Sequence, residues 1–370
     1  MNFRQSAVAS LTRETVTESD MRLPRDIQPA LLGTGELAIS FDATGLQGLN
    51  SRLPQYRDAF SYEHQGYLSE RYLHIYRDEA LSKHYAPAVG RDDKNPPGYS
   101  NLPCGWLDYE LTVDGETFGA EDLTREGRDW TRSFTPRAGT LETSFSLGSI
   151  RVTWQVGMPI GSVQADFRFA VAALDGREHE VRLKVYCHLT LRDHTPIAIG
   201  GIDTRITDGL VFRHWDAKTE TSTAEILHPI MISWGIAGLE GVRYGATDES
   251  LFLEWSGKGT DLSTGFRFVS GSNRDGTLSM SYAVRKADGF RRKGPAAALK
   301  ECAAGWARFF DGAADVWLGD PEKEFLCLQA QYVLRAGEGW NSGLPLGTLW
   351  TQKFGAMTFW DSYFAAEIGR

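Results

Sequence analysis

Hydrophobic and polar residues alternate through much of the chain between residues 30 and 285. In the clearest run, every second residue from Val181 to Leu191 is hydrophobic, and the residues between them are mostly polar. A period of two is typical of a β-strand that buries one face. The sequence predicts further strands of this kind at Tyr109–Val113, Ile150–Val156, Phe167–Val171, Leu251–Trp255 and Met280–Val284.

Asp-Gly pairs separate several of these runs and indicate tight turns. They occur within Val113–Glu116, Leu174–Arg177, Thr207–Leu210 and Arg274–Thr277. Asp and Gly tolerate the left-handed backbone that two-residue hairpin turns need. Long strands joined by such turns predict two packed antiparallel sheets, which form a large β-sandwich.

The hydrophobic period changes to that of a helix near residue 294. Gly294-Pro295 is a favourable helix start, and a hydrophobic stripe follows at Leu299, Cys302, Ala303, Trp306, Phe309 and Phe310. Asp320-Pro321 predicts the start of a second helix, which ends near Gly337. Its predicted buried face holds Phe325, Leu328 and Tyr332, widened by Leu326, Ala330 and Val333. We place a domain boundary near residue 290.

Two segments do not fit either pattern. Residues 70–100 carry several His, Tyr and Arg residues and end in a Pro-Pro-Gly turn, which predicts an irregular or partly helical insertion. Residues 340–351 predict a loop, and it leads into an aromatic stretch, residues 354–370, whose second half is predicted to be helical.

Charge and composition narrow the class of protein. The 370 residues include 39 Lys and Arg against 48 Asp and Glu, a net charge of −9, which argues against nucleic acid as a partner. The hydrophobic stretches are too short for a membrane helix, and the N-terminus lacks the hydrophobic core of a signal peptide. The four cysteines show no zinc or disulfide spacing, so we expect no metal site and a cytoplasmic protein.

Aromatic residues are numerous, with 11 Trp, 13 Tyr and 19 Phe, and they are densest near the C-terminus. Trp350 precedes a cluster that holds Phe359, Trp360, Asp361 and Tyr363. A carboxylate between aromatic rings suits a sugar subsite, because the rings pack against C–H groups while the carboxylate accepts hydrogen bonds from hydroxyls. Asp361 at the start of a helix is equally well explained as an N-cap.

The string Phe359–Phe364 resembles the Trp-Asp motif of six-hairpin, (α/α)6-barrel glycosidases. The order of segments is similar to that of the maltose, kojibiose and trehalose phosphorylase family, and Leu32–Ala38 resembles the start of that family's sandwich. The resemblance implies a mainly β N-terminal supersandwich of the galactose-mutarotase type (residues 1–290), an α-helical linker (291–340) and the beginning of an (α/α)6 barrel (341–370). It also implies that Trp360 and Asp361 contact the sugar.

The motif departs from both of the families that it resembles most. Ala356, Met357 and Tyr363 stand where the phosphorylases have Gly, His and Glu. Lys353, Ala356 and Thr358 replace the Arg, Glu and Tyr of the trehalase motif, while its Trp-Asp-Ser-Tyr string is kept. The match therefore favours the superfamily and leaves open whether water or phosphate attacks the substrate.

The resemblance implies an inverting glycoside hydrolase or phosphorylase that acts on a glucosyl-type di- or oligosaccharide. No cofactor is implied, apart from inorganic phosphate as a co-substrate of a phosphorylase, and a homodimer is expected. A complete barrel needs about 300–400 residues. We therefore expect a truncated barrel, a general acid and base beyond residue 370, and no turnover by this chain alone. The alternatives are a non-catalytic carbohydrate-binding or dimerisation module and a mutarotase-like sugar epimerase.

Overall fold

The computed structural model describes most of the chain outside one long segment, residues 47–103, and the C-terminal residues 350–370. The described ranges are 7–24, 30–34, 38–46, 104–162, 164–190, 197–207, 209–219, 230–247, 250–273, 280–313, 315–336, 338–341 and 344–349. The predicted insertion at residues 70–100 lies outside them.

The described residues are mostly β-strands. The strands are β1 (Ala7–Leu11), β2 (Val16–Arg22), β3 (Ala30–Gly33), β4 (Ala38–Phe41), β5 (Cys104–Val113), β6 (Glu116–Phe118), β7 (Arg128–Thr135), β8 (Thr140–Leu147), β9 (Ile150–Gly157), β10 (Gln164–Ala173), β11 (His179–Thr190), β12 (Ile197–Thr207), β13 (Leu210–Thr219), β14 (Ile230–Gly238), β15 (Arg243–Ala246), β16 (Ser250–Gly259), β17 (Asp261–Asn273), β18 (Glu338–Asn341) and β19 (Leu344–Leu349). The α-helices are α1 (Ala120–Glu126), α2 (Met280–Asp311) and α3 (Pro321–Ala336).

Two antiparallel sheets build the sandwich. Within the described ranges, the large sheet has the strand order β1-β2-β7-β8-β9-β10-β17-β14-β13-β12, and the small sheet has the order β15-β16-β11-β5-β6. Hairpins β3–β4 and β18–β19 stand apart from both sheets. The prediction of a mainly β sandwich followed by a helical segment is confirmed. Residues 340–341 and 344–349, predicted as part of a loop, belong to strands β18 and β19 instead.

The core lies between the sheets and follows the predicted alternation. Every second residue of β11 from Val181 to Cys187 is buried, as is every second residue of β9 from Ile150 to Val156. Tyr109 of the small sheet and Trp154 of the large sheet meet edge to face, with ring centroids 5.1 Å apart. Side chains from both sheets therefore fill one continuous core.

Two of the predicted Asp-Gly turns make different connections between strands. Asp114 and Gly115 have φ values of 51° and 90° and close the β5–β6 hairpin, in which Val113 pairs with Glu116. Both residues need positive φ in such a turn. The turn at Leu174–Arg177 closes no hairpin, because it carries the chain from β10 in the large sheet to β11 in the small sheet.

Helix α2 begins earlier than the sequence pattern indicates. Met280–Val284, predicted as a strand, is its first turn, and Ala283 and Ala287 pack against Leu210 and Val269. A five-residue alternation fits a helix face as well as a strand, and this explains the wrong prediction. Gly294 interrupts the helix with φ 75° and ψ 167°, and a second helical segment starts at Pro295, as predicted.

The second segment of α2 lies on the large sheet through the predicted stripe. Cys302, Trp306 and Phe310 are buried, and the indole N–H of Trp306 donates to the carbonyl of Met158 at 2.8 Å. In the first segment, the carbonyl of Lys286 accepts a hydrogen bond from Arg267 of β17, whose guanidinium also pairs with Asp166. These contacts join α2 to the middle of the large sheet.

Helix α3 begins as predicted after Asp320. The Asp320 carboxylate accepts the backbone N–H of Glu322 at 3.1 Å, which satisfies an otherwise unpaired donor of the first turn. Phe325 and Tyr332 are buried, but Leu326 and Val333 are 54% and 46% exposed, so their assignment to the buried face is wrong. Only one side of α3 rests on the sandwich, and these two residues lie off that side.

None of the helices in the described ranges has the length and hydrophobicity needed to cross a membrane.

Candidate functional site

The residues that the sequence predicts for sugar binding fall outside the described ranges. They are Trp350, Phe359, Trp360, Asp361 and Tyr363. The choice between a ligand and an N-cap for Asp361 therefore stays open. The described ranges contain three groups of interacting polar and aromatic side chains. They lie at the base of α3, on the outer face of the small sheet and around His179.

Tyr332 joins α3 to the segment that resembles the start of the phosphorylase sandwich. Its hydroxyl accepts the N–H of Gly33 at 3.1 Å and donates to the Gly33 carbonyl at 3.4 Å. A Cβ atom at Gly33 would lie 3.0 Å from the Cβ of Ala336, so the close approach favours glycine. Burial raises the pKa of Tyr332, which keeps its hydroxyl protonated and able to donate.

Arg13 connects the N-terminal hairpin to the turn before α3. Its guanidinium forms an ion pair with Asp315, lies 3.6 Å from a carboxylate oxygen of Glu324, and stands 3.4 Å from the ring centroid of Trp317. Glu324 also accepts the backbone N–H groups of Leu318 and Gly319 at 2.6 and 2.8 Å. This network fixes the path by which the chain leaves α2 and enters α3.

The outer face of the small sheet carries a compact group of acidic, basic and aromatic side chains. Strand register places Asp108, Tyr186 and Phe252 side by side in one row, and Glu110, Lys184 and Glu254 side by side in the next. We call these six residues the Asp108 face. The alternating partners in the same strands, including Leu107, Tyr109 and Leu183, point into the core.

Direct contacts link the members of the Asp108 face. The Tyr186 hydroxyl donates to Glu110 Oε2 at 2.9 Å. The Lys184 ammonium lies 4.8 Å from the Tyr186 ring centroid and 4.5 Å from that of Phe252, a cation–π arrangement. The two rings are 6.2 Å apart and inclined by 52°.

Asp108 has an unusual electrostatic environment for an outward strand position. It is 9% exposed, and its Oδ1 accepts the N–H of Tyr109 at 2.8 Å. Burial raises the pKa of Asp108 to about 7. The hydrogen bond from the Tyr109 N–H lowers the pKa, while the negative charges of Asp42 and Glu110 raise it further. The carboxyl group therefore changes its charge near neutral pH.

His179 joins three turns at one end of the sandwich. Its Nδ1 is 2.6 Å from Asp114 Oδ2, and its Nε2 is 3.1 Å from Asp175 Oδ1 and 3.3 Å from Ser149 Oγ. The hydrogen bonds to Asp114 and Asp175 raise the pKa of His179. These contacts link the turns that carry Asp114, Ser149 and Asp175. Within the described residues, no cluster of His, Cys, Asp or Glu has a metal-binding arrangement.

Sequence reasoning missed Asp108 and His179. Asp108 lies next to the predicted strand Tyr109–Val113, and the alternation correctly indicates that it points away from the core. The pattern carries no signal for its burial. The partners of His179 are up to 65 positions away, and Asp-Gly turns at Asp114 and Asp175 were the available clue to their proximity.

Comparison with known proteins reveals similarity of structure but not of sequence. No protein-family profile matches the chain, and no curated protein is similar to it in sequence. A solved structure described as a kojibiose phosphorylase from the human microbiome is similar with a TM-score of 0.56 and 9% identity, over 90% of this chain and 43% of that chain.

Two weaker likenesses are to a family GH92 alpha-mannosidase from Bacteroides thetaiotaomicron and to a bacterial glucoamylase. The mannosidase gives a TM-score of 0.44 and 10% identity over 85% of this chain and 39% of that chain. The glucoamylase gives a TM-score of 0.39 and 11% identity over 65% of this chain and 36% of that chain. The chain thus spans less than half the length of each of these proteins. The likeness to the phosphorylase shows a shared fold, a β-sandwich followed by a helical segment.

Proposed function

We propose that this chain forms the β-sandwich, helical linker and first part of the barrel of an inverting enzyme that cleaves a glucosyl-type linkage in a di- or oligosaccharide. The observation that carries the proposal is the likeness to the kojibiose phosphorylase, with a TM-score of 0.56 over 90% of this chain. The proposed division is 1–290 for the sandwich, 291–340 for the linker and 341–370 for the barrel.

The contacts at the base of α3 support this arrangement. Tyr332 holds Gly33 of the sandwich, and Arg13 holds the turn that leads into the helix. The sandwich and the linker helices therefore form one packed unit, from which the chain continues toward residues 341–370. A rigid base of this kind is what a sugar site on the following residues needs, because substrate positioning tolerates only small displacements.

In the proposed site, Trp360 and Asp361 bind the sugar on the non-reducing side of the cleaved bond, and Trp350, Phe359 and Tyr363 line the same subsite. A general acid protonates the leaving oxygen as the glycosidic bond breaks. In hydrolysis a general base removes a proton from the attacking water, and the two carboxyl groups stand about 6.5–9.5 Å apart. In phosphorolysis inorganic phosphate attacks instead. The proposal assigns neither carboxyl group to a residue of this chain and requires no metal or organic cofactor.

The test compares residues 1–370 with the longest polypeptide that the gene encodes. Each is incubated with kojibiose, trehalose and maltose, with and without phosphate, and the products and their anomers are followed by NMR. We expect residues 1–370 to be inactive and a longer product to release glucose or glucose 1-phosphate with inversion. Turnover by residues 1–370 alone, or no turnover by any form, would contradict the proposal.

We also propose that the protein is cytoplasmic and forms a homodimer. Cys187 and Cys302 are free thiols buried in the structure, which is compatible with the reducing cytoplasm. A homodimer is expected, and sedimentation at several protein concentrations tests it.

A further inference from the structure

We propose that a depression on the outer face of the large sheet binds an anion that also carries hydroxyl groups. In this site Arg151 binds the anionic group, and Asp129 accepts a hydrogen bond from a hydroxyl. Sugar acids and sugar phosphates share this chemistry. The inference goes beyond the proposed function, because it uses none of the residues assigned to the sugar site at 350–363.

The depression is open to solvent and has a volume of about 500 Å³, which is in the range of small-molecule sites. Ser19, Met21 and Thr131 line it together with Asp129 and Arg151. These residues belong to strands β2, β7 and β9 of the large sheet. Its wall therefore combines hydroxyl groups, one exposed apolar side chain and two opposite charges.

Helix α2 covers a different part of this face of the sheet. Arg151 alternates with the buried Ile150 and Val152, so it points away from the core. A Cβ atom at Gly157, the last residue of β9, would lie 2.9 Å from the side chain of Leu299 in α2. Arg151 lies near the other end of the same strand, about 20 Å away. The depression is thus on the part of the sheet that α2 leaves open.

Buried hydroxyl groups hold the Arg151 side chain in place. Its Nη2 donates to Ser144 Oγ at 2.9 Å, and its Nη1 donates to Ser146 Oγ at 3.4 Å. Both serines are less than a tenth exposed, and they lie on β8, between Arg151 and the β7 wall of the depression. Within the described part of the chain, no carboxylate forms an ion pair with Arg151. Its remaining N–H groups can bind a carboxylate or a phosphate through parallel hydrogen bonds.

Asp129 has a backbone conformation that favours glycine. Its φ is 49°, and Asp114 and Asp129 are the two residues other than glycine with positive φ in the described ranges. The carboxylate of Asp114 bonds to His179. The carboxylate of Asp129 has no hydrogen-bond or ion-pair partner among the described residues. An Asp kept in a strained conformation without a partner in its own chain points to a ligand.

A bulge in β7 places Asp129 at the depression. Between Arg128 and Thr131, β7 holds two residues, Asp129 and Trp130, opposite Phe145 alone on β8. A bulge of this kind redirects a side chain and is frequent next to functional sites. Trp130 is buried in the core, so Asp129 is the bulge residue whose side chain is open to a ligand.

The charges around the depression select the class of ligand. Arg151 and Asp129 line the same space but form no ion pair with each other. Asp20 also borders the space, and its carboxylate already accepts the N–H of Arg22 at 3.3 Å. A neutral sugar would leave Arg151 without a counter-ion, and an anion without hydroxyl groups would leave Asp129 without a donor. A molecule with both groups complements both side chains.

The experiment is calorimetric titration of the 370-residue chain with glucuronate and with glucose 6-phosphate. Glucose, acetate and inorganic phosphate are comparators, because each lacks one of the two groups. We expect at least one of the first two ligands to bind with a Kd below about 10 mM, and about tenfold more tightly than every comparator. Tighter binding of glucuronate assigns a carboxylate to Arg151, and tighter binding of glucose 6-phosphate assigns a phosphate.

Two substitutions locate the binding. Arg151→Gln and Asp129→Gly should each weaken it by about tenfold. Glycine also relieves the left-handed backbone, so Asp129→Gly should unfold at a higher temperature while it binds less well. A purely structural role of Asp129 would not lower the affinity. The matched controls Arg182→Gln and Glu116→Gln alter exposed residues of the small sheet and should leave the affinity unchanged.

Thermal unfolding confirms that each variant folds. The inference is overturned if neither glucuronate nor glucose 6-phosphate binds, or if any comparator binds as tightly as they do. It is also overturned if folded Arg151→Gln or Asp129→Gly binds like the unaltered chain, because the ligand then sits elsewhere. No turnover is measured, so these outcomes are independent of the proposed enzymatic activity.

Discussion

The hydroxyl group of Tyr332 satisfies both backbone polar groups of Gly33, a residue 299 positions earlier in the chain. The Tyr332 ring also lies 4.6 Å from that of Trp306 in α2. One side chain thus ties together helix α3, helix α2 and a strand near the N-terminus. The sandwich and these two helices are therefore expected to unfold together.

Tyr332→Phe tests this connection. The substitution keeps the ring but leaves the N–H and carbonyl of Gly33 without their buried partner, so we expect the free energy of unfolding to fall by about 2 kcal/mol. Urea denaturation measures the change. Val333→Ala, next to it on the exposed side of α3, should alter the free energy by less than about 0.5 kcal/mol. Equal effects of the two substitutions would contradict the assigned role of the hydroxyl.

Asp108 should make the stability of the protein fall as the pH rises. Its pKa is about 7 in the folded protein and 3.8 when exposed, so the folded state binds the extra proton between these values. The free energy of unfolding therefore decreases from pH 4 to pH 7, by on the order of 4 kcal/mol at most from this group. Asp108→Asn should remove this component, so the variant gains stability relative to the unaltered protein at pH 8 but not at pH 4. A constant difference at all pH values would refute the assignment.

His179 adds a second component of pH dependence. Its pKa is raised above 6.5, so the stabilisation from its positive charge is fully present below pH 6.5 and is lost as the pH rises through the raised pKa. Hydrogen bonds lower the pKa values of both carboxyl partners of His179. The largest contribution comes from His179 for Asp114, and from the backbone N–H of Arg177 for Asp175. We expect His179→Gln to be more destabilising at pH 5.5 than at pH 9.

An NMR titration of the imidazole measures the pKa of His179 directly. Ser149→Ala serves as the control, because it removes an uncharged neighbour at 3.3 Å and should leave the pH dependence intact. A His179 pKa at or below 6.5 would show that the three turns are held without its charge.

Asp361 can be tested as a sugar ligand against its alternative role as an N-cap. In a form of the protein that turns over, loss of a carboxylate that binds sugar hydroxyls should lower kcat/KM by about 10- to 100-fold in both Asp361→Ala and Asp361→Ser. If the residue only caps a helix, Ser replaces it with normal activity, and Ala lowers the free energy of unfolding by about 1 kcal/mol. Steady-state kinetics and urea denaturation of the two variants distinguish these outcomes.

The sandwich could be predicted from the sequence because the alternation that indicates a strand lies within short segments and recurs along the chain. The alternation in β9 and β11 identifies which residues are buried, and Asp320-Pro321 places the start of α3. Met280–Val284 was misread because five residues are too few to separate a period of two from one of 3.6. The exposure of Leu326 depends on what packs against α3, and a pattern within the helix does not contain that information.

The candidate sites were harder to predict for the same physical reason. The burial of Asp108 and the clustering around His179 arise from residues that are distant in the chain and meet only in the folded sandwich. The aromatic motif at Phe359–Phe364 is local and was easily found, but the structure does not describe those residues. Its role rests on resemblance and stays a prediction.

Gly294 gives helix α2 a property that a continuous helix lacks. Its backbone angles, φ 75° and ψ 167°, belong to a region that essentially only glycine occupies. The segment before it packs on Leu210 and Val269, while the segment after it packs on Met158 and Gly157. The glycine lets the helix change direction between these two sets of contacts. A side chain at position 294 would be strained at these backbone angles. A straight, continuous helix would lose the contacts that one of its halves makes with the large sheet.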